Sequence, residues 1–226
     1  MQLFECDVCG QAIFFDNVNI DGSITTFSPE QADQWEVGVK TDLYGGRLNA
    51  TVSYYAITVS NVVRQDPNRV SFYVQDGENF SRGVEASVAA APLPGLQLTA
   101  GFSHNVSEVV VTDDAAFAGR RPEGAGPATL VNAWASYRVP RGVLQGIGLG
   151  FGGNYASENL ITNTVATGIF TLPSYTILNA SVFYSVGAYR LAVKVDNLAN
   201  KEYFGGWTTV EKQMPRRLAV SAGFKF

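Results

Sequence analysis

From Arg216 to Phe226 the chain reads RRLAVSAGFKF, which puts Leu218, Val220, Ala222, Phe224 and Phe226 on one side of an extended backbone and Ser221, Gly223 and Lys225 on the other. Successive side chains of a strand point to opposite faces, so this two-residue period specifies a sheet with one apolar face and one small or polar face. The same division recurs upstream. Leu96, Leu98, Ala100, Phe102 and His104 alternate with Gln97, Thr99, Gly101, Ser103 and Asn105, and Ile147, Leu149, Phe151 and Tyr155 alternate with Gly148, Gly150, Gly152 and Asn154. Such a sheet has two possible settings. In a sandwich the apolar face meets a second sheet and the polar face meets water; in a transmembrane barrel the apolar face meets lipid and the polar face lines the lumen.

The links between strands separate these settings better than the strands do. Segments of period two bounded by turn residues give about nine strands, at 33–43, 47–62, 70–91, 95–108, 127–139, 144–157, 174–186, 188–198 and 214–226. Short links at Leu43 to Gly46, Pro92 to Gly95, Pro140 to Val143 and Val186 to Ala188 alternate with longer ones at Gln65 to Arg69, Glu108 to Gly126, Ser157 to Pro173 and Ala199 to Pro215. Short turns at one end and long loops at the other are the pattern of a transmembrane barrel. Composition agrees: 23 Gly, 14 Phe, 10 Tyr and only 16% charged residues describe a β-rich chain with little ordinary charged surface. No run approaches the roughly 18 apolar residues of a membrane-spanning helix. Tyr54, Tyr137, Tyr155, Tyr175, Tyr184 and Tyr189 fall at or near strand ends, where an interfacial girdle takes amphipathic rings; packing at hairpin corners is the alternative. The fold class expected is all-β, an antiparallel transmembrane β-barrel meander of about nine to ten strands. A soluble β-sandwich binding module and a small self-closed outer-membrane barrel stay open as alternatives.

Further segments resemble a known family in order along the chain. Residues 27–42, FSPEQADQWEVGVKTD, are followed by Tyr54-Tyr55 with Asn61-Val62, by Gly77-Glu78 with Ser81-Arg82-Gly83-Val84-Glu85, and by Gly119-Arg120-Arg121-Pro122 with Pro127. Then come Leu172-Pro173-Ser174-Tyr175-Thr176, the run Val195 to Tyr203, Pro215-Arg216-Arg217 and the terminal Phe226. Together they resemble the barrel of TonB-dependent siderophore receptors of the bacterial outer membrane. The resemblance implies the C-terminal part, residues 21–226, of a barrel of about 22 strands that imports ferric siderophores with energy supplied through TonB. It implies that Phe224 and Phe226 belong to the barrel-closing C-terminal signal, and that Glu36, Lys40, Glu85, Lys194, Asp196 and Lys225 face a lumen in which a plug packs. Arg120, Arg121, Tyr203, Phe204 and Trp207, in the long loops, become candidates for meeting an anionic, oxygen-rich chelate by stacking and charge-assisted hydrogen bonds. The partners implied are a ferric siderophore, the TonB complex and outer-membrane lipid. The family's plug, its TonB box and a signal peptide find no counterpart in these residues, so a fragment inactive by itself is expected.

Residues 1–20 do not follow the alternation and read as a separate segment, foreign or zinc-ribbon-like. Cys6 and Cys9 have C-x-x-C spacing, half of a tetrahedral zinc site, but a structural zinc needs four ligands and His104 is the single histidine. Cys6 and Cys9 are therefore weak metal candidates, and no cofactor is expected. A net charge of -4 without a basic stripe argues against a nucleic-acid partner. With one His, no phosphate-binding glycine loop and no G-x-S-x-G elbow, the chain reads as a non-enzyme.

Overall fold

The structure, a computed structural model, describes residues 2–9, 16–18, 23–66, 69, 72–112, 115–116, 118–164, 168–206 and 209–225. Every regular element among them is a strand. In chain order these are β1 (Gln2–Cys9), β2 (Asp16–Val18), β3 (Ile24–Thr26), β4 (Gln31–Leu43), β5 (Leu48–Gln65), β6 (Tyr73–Ala90), β7 (Leu96–Val111) and β8 (Thr129–Arg138). They continue with β9 (Ile147–Ala156), β10 (Asn159–Thr164), β11 (Gly168–Leu172), β12 (Tyr175–Val186), β13 (Tyr189–Asp196), β14 (Phe204–Gly206), β15 (Val210–Lys212) and β16 (Arg217–Phe224).

Ten of them form one antiparallel sheet, in the order β1-β4-β5-β6-β7-β8-β9-β12-β13-β16. This is a meander in which each strand pairs with the next one of the sheet, and each of the nine segments of period two coincides with one of its strands. The tenth strand, β1, comes from residues that the alternation left out: Gln2 lies opposite Gly38 and Cys9 opposite Gln31. The sixteen strands include three two-stranded hairpins, β2–β3, β10–β11 and β14–β15, all in the long links at one end of the sheet. At the other end the turns are tight; between β12 and β13 a two-residue hairpin bends through Gly187, whose φ of 55° suits a residue without Cβ. Two alternatives fall here. There is one sheet and not two facing sheets, so no sandwich forms, and β1 and β16 do not pair among the described residues, so ten strands do not close on themselves.

Register aligns the side chains across the whole sheet. One row runs Val39, Val52, Ala86, Phe102, Val131 and Tyr155, and another runs Leu191, Ala222 and Tyr184. These apolar side chains have no cover: Val39 is 61% exposed, Leu149 61% and Val220 73%, while among the described residues the buried hydrophobic ones are only Ala56, Ala156, Ile161, Leu172 and Ile177. A face of this size has no soluble explanation in a monomer; it is the lipid side of a barrel wall. From Trp35 to Leu43 its outward positions span nine residues of β4, the length that a tilted transmembrane strand needs. Aromatic pairs mark both borders, Trp35 with Tyr54 (centroids 5.4 Å apart) and Tyr189 with Phe224 (5.3 Å). Tyr54, Tyr137, Tyr155, Tyr184 and Tyr189 all point outward. Tyr175 does not; Thr176 lies opposite outward-facing Tyr155, so Tyr175 has the lumen parity.

The opposite face carries Glu36, Lys40, Glu85, Lys194 and Asp196, as expected, whereas Lys225 lies beyond the end of β16. Asp196 there is held by Lys194 at 2.7 Å and Arg217 at 2.9 Å. The two faces predict opposite responses to one charge. Val52→Arg, at the middle of the outward band, is expected to destabilise the protein in lipid by about 2–4 kcal/mol. Thr51→Arg, one residue away on the lumen face, should cost under about 1 kcal/mol. Equilibrium unfolding in lipid vesicles checks the pair, and equal costs would contradict the assignment of faces.

Candidate functional site

The long-link end of the sheet gathers the polar and aromatic residues that could meet a ligand. The β7–β8 link first extends the sheet: the Val109 N–H donates to the Arg120 carbonyl and the Gly119 N–H to the Val109 carbonyl, both at 2.8 Å. This hairpin-like return brings Arg120 and Arg121 over the lumen wall. Arg121 points down toward the barrel; its Nη2 donates to Asn105 Oδ1 at 2.7 Å and to the Gly126 carbonyl at 3.0 Å. All its acceptors among the described residues are neutral. Partial burial lowers its pKa from the ordinary arginine value, with Tyr55 acting in the opposite sense, but an arginine stays protonated throughout the useful pH range. The link therefore presents a half-buried cation whose charge no carboxylate among the described residues offsets.

Arg120 reaches sideways. Its Nη1 donates to Asn163 Oδ1 at 3.1 Å, on β10 of the next loop. Asn163 is buried and joins the two links: its backbone N–H donates to Glu123 Oε1 at 2.7 Å and its Nδ2 to the Arg121 carbonyl at 3.1 Å. A third link is attached through Asn159 Nδ2, which donates to the Gly206 carbonyl at 3.3 Å. In that link Tyr203 lies 4.6 Å, centroid to centroid, from Tyr175 at a 43° tilt, and Phe204 begins β14 opposite Lys212. Four of the five loop candidates thus sit in links that are bonded to one another, Arg120 and Arg121 in one and Tyr203 and Phe204 in another. Trp207 lies outside the described residues, as does Phe226. The side chains of Cys6 and Cys9 are also outside them, although both residues belong to β1.

Several residues that build this end had no signal in the sequence. Asn163, Glu123 and Asn159 make contacts spanning 40 or more positions, which no local pattern reveals. The Pro29-Glu30 pair has a structural task. Glu30 Oε1 accepts the Val63 N–H at 3.0 Å, and the Pro29 carbonyl accepts from Asn61 Nδ2 at 3.2 Å. Asn61, at φ 58°, lies where the pairing of β5 with β6 shifts register, so these bonds pin a bulge at the top of the wall. At the base of the last link, Asn197 is 3% exposed with φ 53°. Its Oδ1 accepts the Lys201 N–H and its Nδ2 donates to the Lys201 carbonyl, both at 2.8 Å, while its own N–H donates to Asn179 Oδ1 at 3.0 Å.

A one-sheet meander with a lipid face, a polar lumen face and long loops at one end defines a wall of an outer-membrane barrel. The model of the family "TonB dependent receptor-like, beta-barrel" matches residues 11–198, and the chain belongs to that family. It is 30% identical over 221 residues to the ferrichrome outer membrane transporter/phage receptor of Escherichia coli (strain K12), covering 92% of this chain and 28% of that protein. It is 29% identical over 199 residues to the ferrioxamine B receptor of Salmonella typhimurium (strain LT2), covering 81% of this chain and 26% of that one. Among solved structures, the ferripyoverdine receptor of the outer membrane of Pseudomonas aeruginosa bound to ferripyoverdine superimposes with a TM-score of 0.77 at 20% identity, over 99% of this chain and 30% of that one. The chain thus spans less than a third of the length of these relatives.

Proposed function

We propose that the chain forms part of an outer-membrane receptor that imports ferric siderophores, with transport powered through TonB, and that it works as a transporter and not as an enzyme. The observation that carries this reading is the half-buried Arg121 cation, whose acceptors among the described residues are all neutral, in a loop bonded to its neighbours, above a polar lumen whose other side is a lipid-facing wall. Ferric chelates are large, oxygen-rich and often anionic, and a guanidinium with nearby aromatic rings recognises them by charge-assisted hydrogen bonding and stacking. Arg120, Tyr203 and Phe204 extend that surface, and Trp207 is assigned to it with them. Their relatives' names, with ferrichrome, ferrioxamine B and pyoverdine among them, favour ferric siderophores as the class. Outer-membrane lipid would cover the outward face. The ten strands would supply under half of a barrel of about 22, so import is assigned to the whole receptor.

The test replaces the matching segment of the ferrichrome transporter with residues 21–226 and measures radio-iron uptake in cells lacking siderophore receptors. The chimera is expected to insert in the outer membrane and to take up at least one ferric siderophore only when TonB is present. In it, Arg121→Ala should weaken ligand binding by about tenfold, the effect of one charge-assisted contact. A chimera that inserts but carries no member of a panel of hydroxamate, catecholate and pyoverdine chelates would overturn the proposal.

A further inference from the structure

Arg120, Arg121 and Glu123 put two cations and a carboxylate on one short stretch of the β7–β8 link. Glu123 and Gly124 are the central pair of a β-turn, closed by the Ala125 N–H on the Pro122 carbonyl at 3.3 Å with Gly124 at φ 78°. Arg121 folds over that same turn, and its Nη2 donates to the Ala125 carbonyl at 3.4 Å and to the Gly126 carbonyl at 3.0 Å. A glutamate two positions along, on a turn that the guanidinium itself covers, is the partner that the chain offers Arg121 first. Opposite charges at such spacing attract strongly where water is partly excluded. Yet Glu123 forms no ion pair among the described residues.

The neighbouring link holds the carboxylate instead. Glu123 Oε1 accepts the backbone N–H of Asn163, on β10, at 2.7 Å, a short bond of the charge-assisted kind. The Asn163 side chain then fixes the two arginines: its Oδ1 accepts Arg120 Nη1 and its Nδ2 donates to the Arg121 carbonyl, both at 3.1 Å. Asn163 is 7% exposed, so each of these bonds is costly to leave unmade. Together they sort the charges. Glu123 goes to an amide, Arg120 to a side-chain oxygen of the next link, and Arg121 stays over neutral acceptors. The two links are separated only by the β8–β9 hairpin, in the middle of the sheet, so the arrangement is complete within these residues.

We propose that Asn163 is a positioning residue that keeps Glu123 off Arg121, and that the loop site thereby selects anionic over neutral ferric chelates. This rests on the assignment of Arg121 to the ligand. A guanidinium beside its own carboxylate is neutralised and has its donors taken. The same guanidinium over carbonyl oxygens keeps its full charge, and it exchanges neutral bonds for the stronger ones that anionic oxygens offer. Selection by charge thus depends on a residue 42 positions from Arg121 that need not touch the ligand.

The test uses the chimeric receptor, in which the ferrichrome transporter completes the wall. Equilibrium binding to cells is measured for a neutral ferric tris-hydroxamate and for a derivative of it that carries free carboxylates. The parent chimera is expected to bind the carboxylate derivative more tightly. Asn163→Ala should weaken binding of that derivative by about tenfold, the loss of one charge-assisted contact, and of the neutral chelate far less. Adding Glu123→Gln, which removes the competing charge, should restore most of the lost affinity, whereas Glu123→Gln alone should leave both affinities near the parent's. Asn163→Ser takes the place of the alanine variant if the latter does not reach the surface. A purely structural asparagine gives a different result, an equal loss for both chelates that Glu123→Gln does not repair. That result, no loss at all, or a parent without preference for the carboxylate derivative would overturn the proposal. Arg121→Ala separates it from the reading beneath it. If Arg121→Ala abolishes the preference and Asn163→Ala does not, only the role of Asn163 falls; if Arg121→Ala leaves the preference intact, both fall.

Discussion

Gly152→Val is expected to break the sheet at its centre, lowering stability by about 3 kcal/mol, the upper part of the range for forced overpacking. The reason lies in the glycine stripe of β9. On the lumen face Gly148, Gly150 and Gly152 succeed one another, and rings from the neighbouring strands lie across them: Phe183 over Gly148 and Trp134 over Gly150 and Gly152. A Cβ at Gly152 would collide with the Ala133 carbonyl and would stand 2.7 Å from Trp134 Cε3 and 2.8 Å from Trp134 Cα. Backbone cannot swing aside as a flexible side chain can. At Gly150 the obstacles are side chains, Trp134 and the Ser181 Oγ at 2.6 Å, so Gly150→Ala should cost less, about 1 kcal/mol. Heat-dependent gel mobility and thermal unfolding in detergent measure both. A Gly152→Val protein as stable as the parent would mean that the ring of Trp134 does not lie across β9.

Asn197→Ala should cost about 3 kcal/mol and loosen the whole link from β13 to β16. The substitution removes both side-chain bonds to Lys201, leaving a backbone donor and acceptor unmet in a partly buried setting, at about 1–3 kcal/mol for such groups. It also leaves alanine at a positive φ that asparagine tolerates better. Two further variants separate these causes. Asn197→Gly keeps the backbone freedom and loses only the bonds, whereas Asn197→Asp keeps the acceptor for the Lys201 N–H and loses the donor to its carbonyl. The expected order of stability is parent, then Asp and Gly, then Ala. Limited proteolysis between residues 198 and 216 gives a local readout, since Asn200 Oδ1 also ties the Arg216 N–H at 2.9 Å in this segment. If Asn197→Ala left proteolysis unchanged, the asparagine would not be what holds the link.

The run DNLANKEY shows how far a local pattern carries. Its asparagines mark a strand exit because their side chains bond their own backbone and tolerate a left-handed conformation, and Asn197 and Asn200 do have φ of 53° and 52°. That the Asn197 N–H also donates to Asn179 Oδ1 depends on β12 lying beside β13, which the local run cannot express. Glycines divide in the same way. Gly38 and Gly83 stand where a Cβ would press on a neighbour, Ser53 Cβ at 3.0 Å in one case and the Tyr55 Oη at 2.7 Å in the other. Gly223 on β16 has room: Arg190 Cβ, the nearest atom, would be 3.8 Å away.

The sequence by itself determined the class of this protein. Period-two alternation is a property of each strand alone, and the order of short and long links follows the chain, so the nine segments, their faces and the side on which the loops lie were legible residue by residue. Tertiary structure decided what joins the loops. Arg120, Arg121 and Glu123 meet Asn163 some 40 residues away, and β1 joins the sheet beside β4 across a link that carries a hairpin of its own. It also decided that Glu123, two residues from Arg121, gives its carboxylate to a backbone amide of another link. Side-chain bonds between loops depend on the shear and curvature of the assembled wall, and those arise only when all the strands are paired.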